Sequence, residues 1–142
     1  MLQITFSGTK FSSISPVWLQ IVPSVGDGSS DYMIQGTHDI DKKWMSDVRK
    51  SAPGLKVIPR VLFDKWTGQD YINLFRDGWR VDAVAKLITK TVTKQGFDGV
   101  VLEVWSQLGG QAKPQLTSVI KAIGKALRAK DKARTSFCHA QL

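Results

Sequence analysis

Between Phe97 and Trp105 the chain reads FDGVVLEVW, and after the opening Asp98-Gly99 it is apolar on both alternating sets of positions except at Glu103. A strand with that pattern has to be covered on both faces, which is the habit of parallel sheets flanked by helices. Parallel neighbours cannot be joined by a tight turn; each pairing needs a crossover of a dozen or more residues, usually a helix. The remaining sequence supplies such crossovers in the right places. Phe11 to Val22 (FSSISPVWLQIV) is rich in β-branched and aromatic residues and reads as a strand, with Pro16 predicting a bulge or irregular pairing inside it. Leu55 to Phe63 (LKVIPRVLF) reads as a second strand. The order is therefore β-α-β-α-β-α, an α/β fold with parallel strands and flanking helices.

The helices announce themselves by their ends. Asp39 to Lys50 has acids in its first turn and Arg49 and Lys50 in its last, which suits the helix dipole, and Pro53-Gly54 stops it. Thr67 to Asp70 fits a capping box. Asp77 is placed to cap the next helix, whose Val81, Val84, Ile88 and Val92 recur on one face. Gly96 closes that helix. Pro114 starts the last one, with Leu116, Val119, Ile120, Ile123 and Leu127 as its core stripe. GDGSS at Gly26 to Ser30 is a turn, after which Asp31 to Gln35 can return as a short strand.

Composition removes several classes of protein. Five Trp and 42% hydrophobic residues argue against disorder. A single Cys rules out an internal disulfide framework. No apolar run reaches about 18 residues, so no membrane span is expected, and the first segment, MLQITFSGTKF, lacks the pattern of a signal peptide. The formal charge of +8 is concentrated late in the chain. Residues 113–142 hold Lys113, Lys121, Lys125, Arg128, Lys130, Lys132 and Arg134 against one acid, Asp131. That cluster reads either as a solvated helix face or as a contact for polyanions. No nucleic-acid motif accompanies it, and the tryptophans do not interleave with it, so no nucleic-acid partner is expected. Phosphate-loop and nucleophile-elbow motifs are absent, no zinc spacing involves His139 and Cys138, and no cofactor is implied.

Several runs carry a resemblance: FSSISPVWLQIV with GTHDIDKKWMSDVRK, and VIPRVLFDKWT with FDGVVLEVWSQL. In this order they resemble a divergent, chitinase-like subgroup of glycoside hydrolase family 18. The family fold is a (β/α)8 TIM barrel of about 250 residues. The resemblance implies that this chain holds roughly the second to fourth βα units of such a barrel. Residues 1–134 would form the partial barrel and 135–142 an irregular tail, with the first strand and those after the fourth missing and both sheet edges open. It also implies saccharides as partners, a stabilin-type scavenger receptor as a protein partner, and a secreted or lysosomal location for the complete relatives.

Active members of the family end their fourth strand with D-G-x-D-x-D-x-E. The last Glu protonates the glycosidic oxygen while the substrate's own acetamido group attacks. In this chain Asp98 and Gly99 hold the start of the motif, Val101 stands at the first inward acid, Glu103 at the second, and Trp105 where the catalytic Glu belongs. An indole cannot deliver that proton. The expectation is therefore a non-catalytic, chitin- or chito-oligosaccharide-binding segment. Trp18, Asp64, Trp66, Glu103 and Trp105 are its candidate saccharide-binding residues, and it has no catalytic residue. Trp105 suits sugar stacking and core packing alike. Glu103 suits a structural pair with Arg60 on the neighbouring strand. Asp64 suits a binding-site contact or an ordinary loop acid. Two alternatives stand beside this reading: weak or residual hydrolysis through Glu103, and a truncated barrel with no function of its own.

Overall fold

A computed structural model describes residues 11–24, 31–104 and 108–130, and the backbone of 137–140. In chain order the elements are β1 (Ser13–Ile14), β2 (Val17–Pro23), β3 (Tyr32–Gln35), a 3-10 turn (Thr37–Asp39), α1 (Lys42–Ser51), β4 (Lys56–Val57) and β5 (Arg60–Phe63). They continue through α2 (Gly68–Arg76), α3 (Gly78–Gln95), β6 (Gly99–Glu103) and α4 (Lys113–Lys130) to β7 (Phe137–Ala140). Prolines split the two long strands expected from sequence. Pro16 separates β1 from β2, and Pro59 separates β4 from β5, because proline cannot donate to a ladder. The short halves pair with each other, β1 parallel to β4.

The main sheet has the order β3-β2-β5-β6-β7. β2, β5, β6 and β7 run parallel, and β3 is an antiparallel edge on β2. The segment expected to be an irregular tail thus supplies β7, whose backbone pairs Gly99 with Phe137 and Leu102 with Ala140. Both edges of β2, β5 and β6 taken together, expected to be open, are occupied by β3 and β7.

Helices cover one face of this sheet. Leu19, Ile21, Val61, Phe63, Val100 and Leu102 are buried there with Val84 and Ile88 of α3 and Leu116, Ile123 and Leu127 of α4. β6 is buried along Gly99–Leu102, as its unbroken apolar reading requires. The capping box at Thr67 forms in full, with Asp70 N–H donating to the Thr67 hydroxyl and Thr67 N–H to the Asp70 carboxylate. Gly96 takes the left-handed conformation that ends α3. Asp77 departs from expectation. It sits at the N-cap of α3 but makes no side-chain cap bond; its carboxylate accepts from Arg76 and Arg80 instead.

Gly36 is needed for a different reason. Its φ is +86°, and a Cβ there would lie 1.8 Å from the carbonyl oxygen of Trp18. The chain leaving β3 therefore crosses β2 at a distance only glycine permits.

Candidate functional site at the open face of the sheet

The face of the sheet away from the helices carries the chemistry. On β5 the alternation that buries Val61 and Phe63 leaves Arg60, Leu62 and Asp64 half-buried. On β6, Glu103 is half-buried beside them, in register with Leu62. Arg60 and Glu103 form an ion pair at 2.5 Å. This is the pairing the sequence allows for a strand acid, and it brings two of the central polar groups of the open face together. Gln20 of β2, in register with Leu62, extends the surface. Sequence reasoning missed Gln20 and Leu62, although both share the period-2 face of Arg60 and Glu103. Val17 and Met33, more than two-fifths exposed, give its outer part an apolar character.

Asp98, which opens the family motif, is used for structure. Its carboxylate accepts the Val57 N–H at 2.9 Å and the Arg49 guanidinium at 3.0 Å. Arg49 also donates to the Gly96 carbonyl at 2.7 Å. Asp98 therefore ties the start of β6 to β4 and α1, at the opposite end of the strand from Glu103.

The expected binding residues fall into distinct settings. Trp18 sits at a β-bulge. Val17 pairs with Arg60 and Leu19 with Val61, so β2 uses one more residue than β5 over that step. The extra residue directs the Trp18 ring against Trp44 of α1, edge to face at 5.7 Å, and against Phe97 at 6.1 Å. A bulge re-aims a side chain in just this way. Trp66 follows Lys65, a non-glycine residue at φ +60°, and the chain turns back there. Its ring stacks on Tyr32 at 5.2 Å with the planes 4° apart, and touches Phe63 and Tyr71 at 4.9 and 5.1 Å. Its indole N–H donates to the Ile21 carbonyl at 2.9 Å. Both rings thus spend their faces on protein neighbours. Asp64, at the end of β5, makes no ion pair among the described residues, and its backbone N–H donates to the Ile21 carbonyl. Trp105 lies outside the described residues. The structure thus unites Arg60, Leu62, Asp64 and Glu103 on one surface, holds Trp66 in an aromatic cluster beyond the carboxyl end of β5, and places Trp18 at the amino end of β2, packed against Trp44 and Phe97 and away from Asp64 and Glu103.

The aromatic cluster has its own electrostatics. Burial pushes the Tyr71 hydroxyl up to about 12, with the Asp70 charge adding to the shift. Burial also raises the Tyr32 hydroxyl, against the pull of a hydrogen bond from Arg80. Arg80 joins Asp31 at 2.6 Å and Asp77 at 3.0 Å, which fastens β3 and its loop to α3. No group of three or more His, Cys, Asp or Glu suited to a metal ion occurs among the described residues. Among those residues, too, no helix is long and apolar enough to cross a membrane.

An arc of parallel strands with helices on one face, and a polar cluster near the carboxyl ends of β5 and β6, is the architecture of part of a (β/α)8 barrel. No protein-family model matches the chain. Among solved structures it is similar to a glycoside hydrolase family 18 N-acetylglucosaminidase from Paenibacillus barengoltzii, at 20% identity and a TM-score of 0.59 over 75% of this chain. The chain spans about a third, 34%, of that protein's length. At this identity the likeness carries the fold. The chain has a partial TIM-barrel fold of the family 18 type, and the strands among the described residues do not close into a barrel, as the sequence runs implied.

Proposed function

We propose that this chain is part of a chitinase-like barrel that binds saccharides, with oligomers of N-acetylglucosamine as the ligand class, and does not hydrolyse them. One observation carries the proposal: Glu103, the acid on the open face of β6, is committed to Arg60. A general acid has to present its proton to the leaving oxygen within hydrogen-bond reach; an oxygen already held by a guanidinium is poorly placed to do so. The motif resemblance supports the same reading, since it puts Trp105 where the terminal Glu of active members would stand. Barrel enzymes build their sites at the carboxyl ends of the strands, and Asp64 and Glu103 lie at those ends of β5 and β6.

In this reading Trp105 offers an aromatic face to the apolar side of a sugar ring. Asp64 accepts from a sugar hydroxyl, and the Arg60–Glu103 pair sets the polar floor. Trp66, just past the carboxyl end of β5, shapes the margin through the cluster it anchors, whereas Trp18, at the amino end of β2, takes no part. A stabilin-type scavenger receptor as protein partner, and a secreted or lysosomal setting, rest on the sequence resemblance to the chitinase-like subgroup.

The test is titration of the chain with chitotetraose, followed by tryptophan emission and calorimetry. Binding that is lost in Trp105→Ala and weakened in Asp64→Asn is the expected result; unchanged emission and no heat would overturn the proposal. Incubation with a chromogenic chito-oligosaccharide should release nothing above an enzyme-free blank. Release that disappears in Glu103→Gln would establish the hydrolytic alternative instead.

A further inference from the structure

The outer surface of the helix layer contains a furrow of about 700 Å³ between α3 and α4. Its floor is made of small side chains, among them Ala85 and Thr89 of α3 and Ala122 and Ala126 of α4. Thr89 spends its hydroxyl on the Ala85 carbonyl at 2.7 Å, so the floor presents methyl groups. The rim is basic: Lys86, Lys90 and Lys94 along α3 and Lys130 across from them on α4, with one acid, Asp82, at the α3 end. All four lysines are exposed, and they form no ion pair among the described residues.

The geometry points to this furrow as a docking site for an acidic amphipathic helix of a partner protein. Three features select that occupant. Small residues let a third helix approach α3 and α4 closely, at the interaxial distance of about 8 Å where side chains are small. The α3 lysines repeat every fourth residue, spanning about 12 Å of helix. Carboxylates spaced three or four residues apart along the flank of a helix laid beside α3 match that row. Recognition by an apolar stripe in a groove with complementary charges on the rim is a recurrent mode of helix binding. The basic residues that the sequence concentrates after residue 113 divide accordingly. Lys130 belongs to the furrow, whereas Lys121 and Arg128 of the same helix do not line it.

The site lies on the helix side of the sheet, apart from the proposed saccharide surface, so the two can fail independently. The probe is a fluorescein-labelled synthetic helix of about 20 residues, with Ala and Leu on one face and Glu on its flanks, long enough to be helical in isolation. Anisotropy with the full chain should show saturable binding that weakens as salt rises. Lys90→Glu with Lys94→Glu should weaken it roughly 10-fold or more, through charge reversal on the rim. Ala126→Leu, which fills the floor, should also weaken it, and Lys121→Glu should leave it close to wild type. Thermal melts of all variants confirm that the fold is retained. Equal competition by polyglutamate would overturn the proposal, because it would show charge attraction without use of the furrow. So would equal binding by Lys121→Glu and the rim variants, absence of saturable binding, or capture of the chain by phosphatidylserine vesicles with no preference for the peptide.

Discussion

The two faces of the central sheet are built on opposite rules. On the helix side, Leu19, Ile21, Val61, Phe63, Val100 and Leu102 are buried against α3 and α4. On the open side the residues between them include an ion pair, a glutamine and the half-buried Leu62 and Asp64. Adjacent residues on one strand thus serve different ends: Phe63 is part of the packed interior, and Leu62, one position earlier, is part of a surface with chemistry. Burial of apolar area supplies the stability of the first face. The second contributes less to stability and retains groups that can meet a ligand.

That contrast can be broken at Phe63 and Leu62. Phe63→Ala should cost about 3–5 kcal/mol, the range for a large aromatic removed from a core, while Leu62→Ala should cost about 1 kcal/mol, as a partly exposed side chain gives up less buried area. Denaturant midpoints measure both, and equal losses would erase the distinction between the faces. Gly36→Ala should come next. The carbonyl of Trp18 stands where the new Cβ would go, at a positive φ, and we expect a loss of about 2 kcal/mol or more from strain and displacement of β3. Restoration of stability by no neighbouring substitution short of moving the backbone would sharpen the point.

Alkali probes the helix side through its tyrosines. Tyr71 has its folded pKa raised from 10.0 to about 12. The unfolded state therefore releases the proton first. Stability is whole below pH 10 and falls as pH rises toward 12, by on the order of 2 kcal/mol. A Tyr71→Phe variant should remove that part of the decline, read from melting temperature against pH. The smallest effect belongs to the open face. Arg60→Met and Glu103→Gln should each cost about 1 kcal/mol, as for a partly solvated pair, and a double-mutant cycle isolates their coupling. A coupling near that of a fully buried pair would mean that the open face is more enclosed than its exposure indicates.

The sequence made the helix-packed face readable and left much of the open face unread, for physical reasons. Period and end signals placed α2, α3 and α4, the Thr67 capping box and the Gly96 terminus, since those depend on local residue chemistry; α1 was expected from Asp39 but begins at Lys42, because Asp41 caps it by accepting the Trp44 N–H and Asp39 belongs to the preceding 3-10 turn. The Arg60–Glu103 pair was legible because alternation puts both on one side of neighbouring strands. The orientation of Trp18 and Trp66 was not. Trp18 is turned by a bulge whose existence depends on register with β5, and Trp66 follows a left-handed residue, Lys65, that no glycine marks. β7 was missed because TSFCHAQL has little strand pattern of its own and becomes a strand by pairing with β6; strand preference is largely a property of context. Asp77 looked like a cap, and two arginines claimed it.

The register also sets an order of events. Every parallel pairing joins distant residues, as in Leu19 with Val61 or Leu62 with Glu103, and carries the entropic cost of closing the long segment between them. The β2–β3 hairpin is the exception, matching Gln20 with Gln35 and Pro23 with Tyr32. Low sequence separation favours early contacts. The hairpin is therefore the natural seed of the sheet, against which β5 and then β6 can add as they leave the ribosome. The strand that differs in direction from the rest, and has no counterpart in a simple parallel barrel, would then be the template on which the parallel ones are assembled.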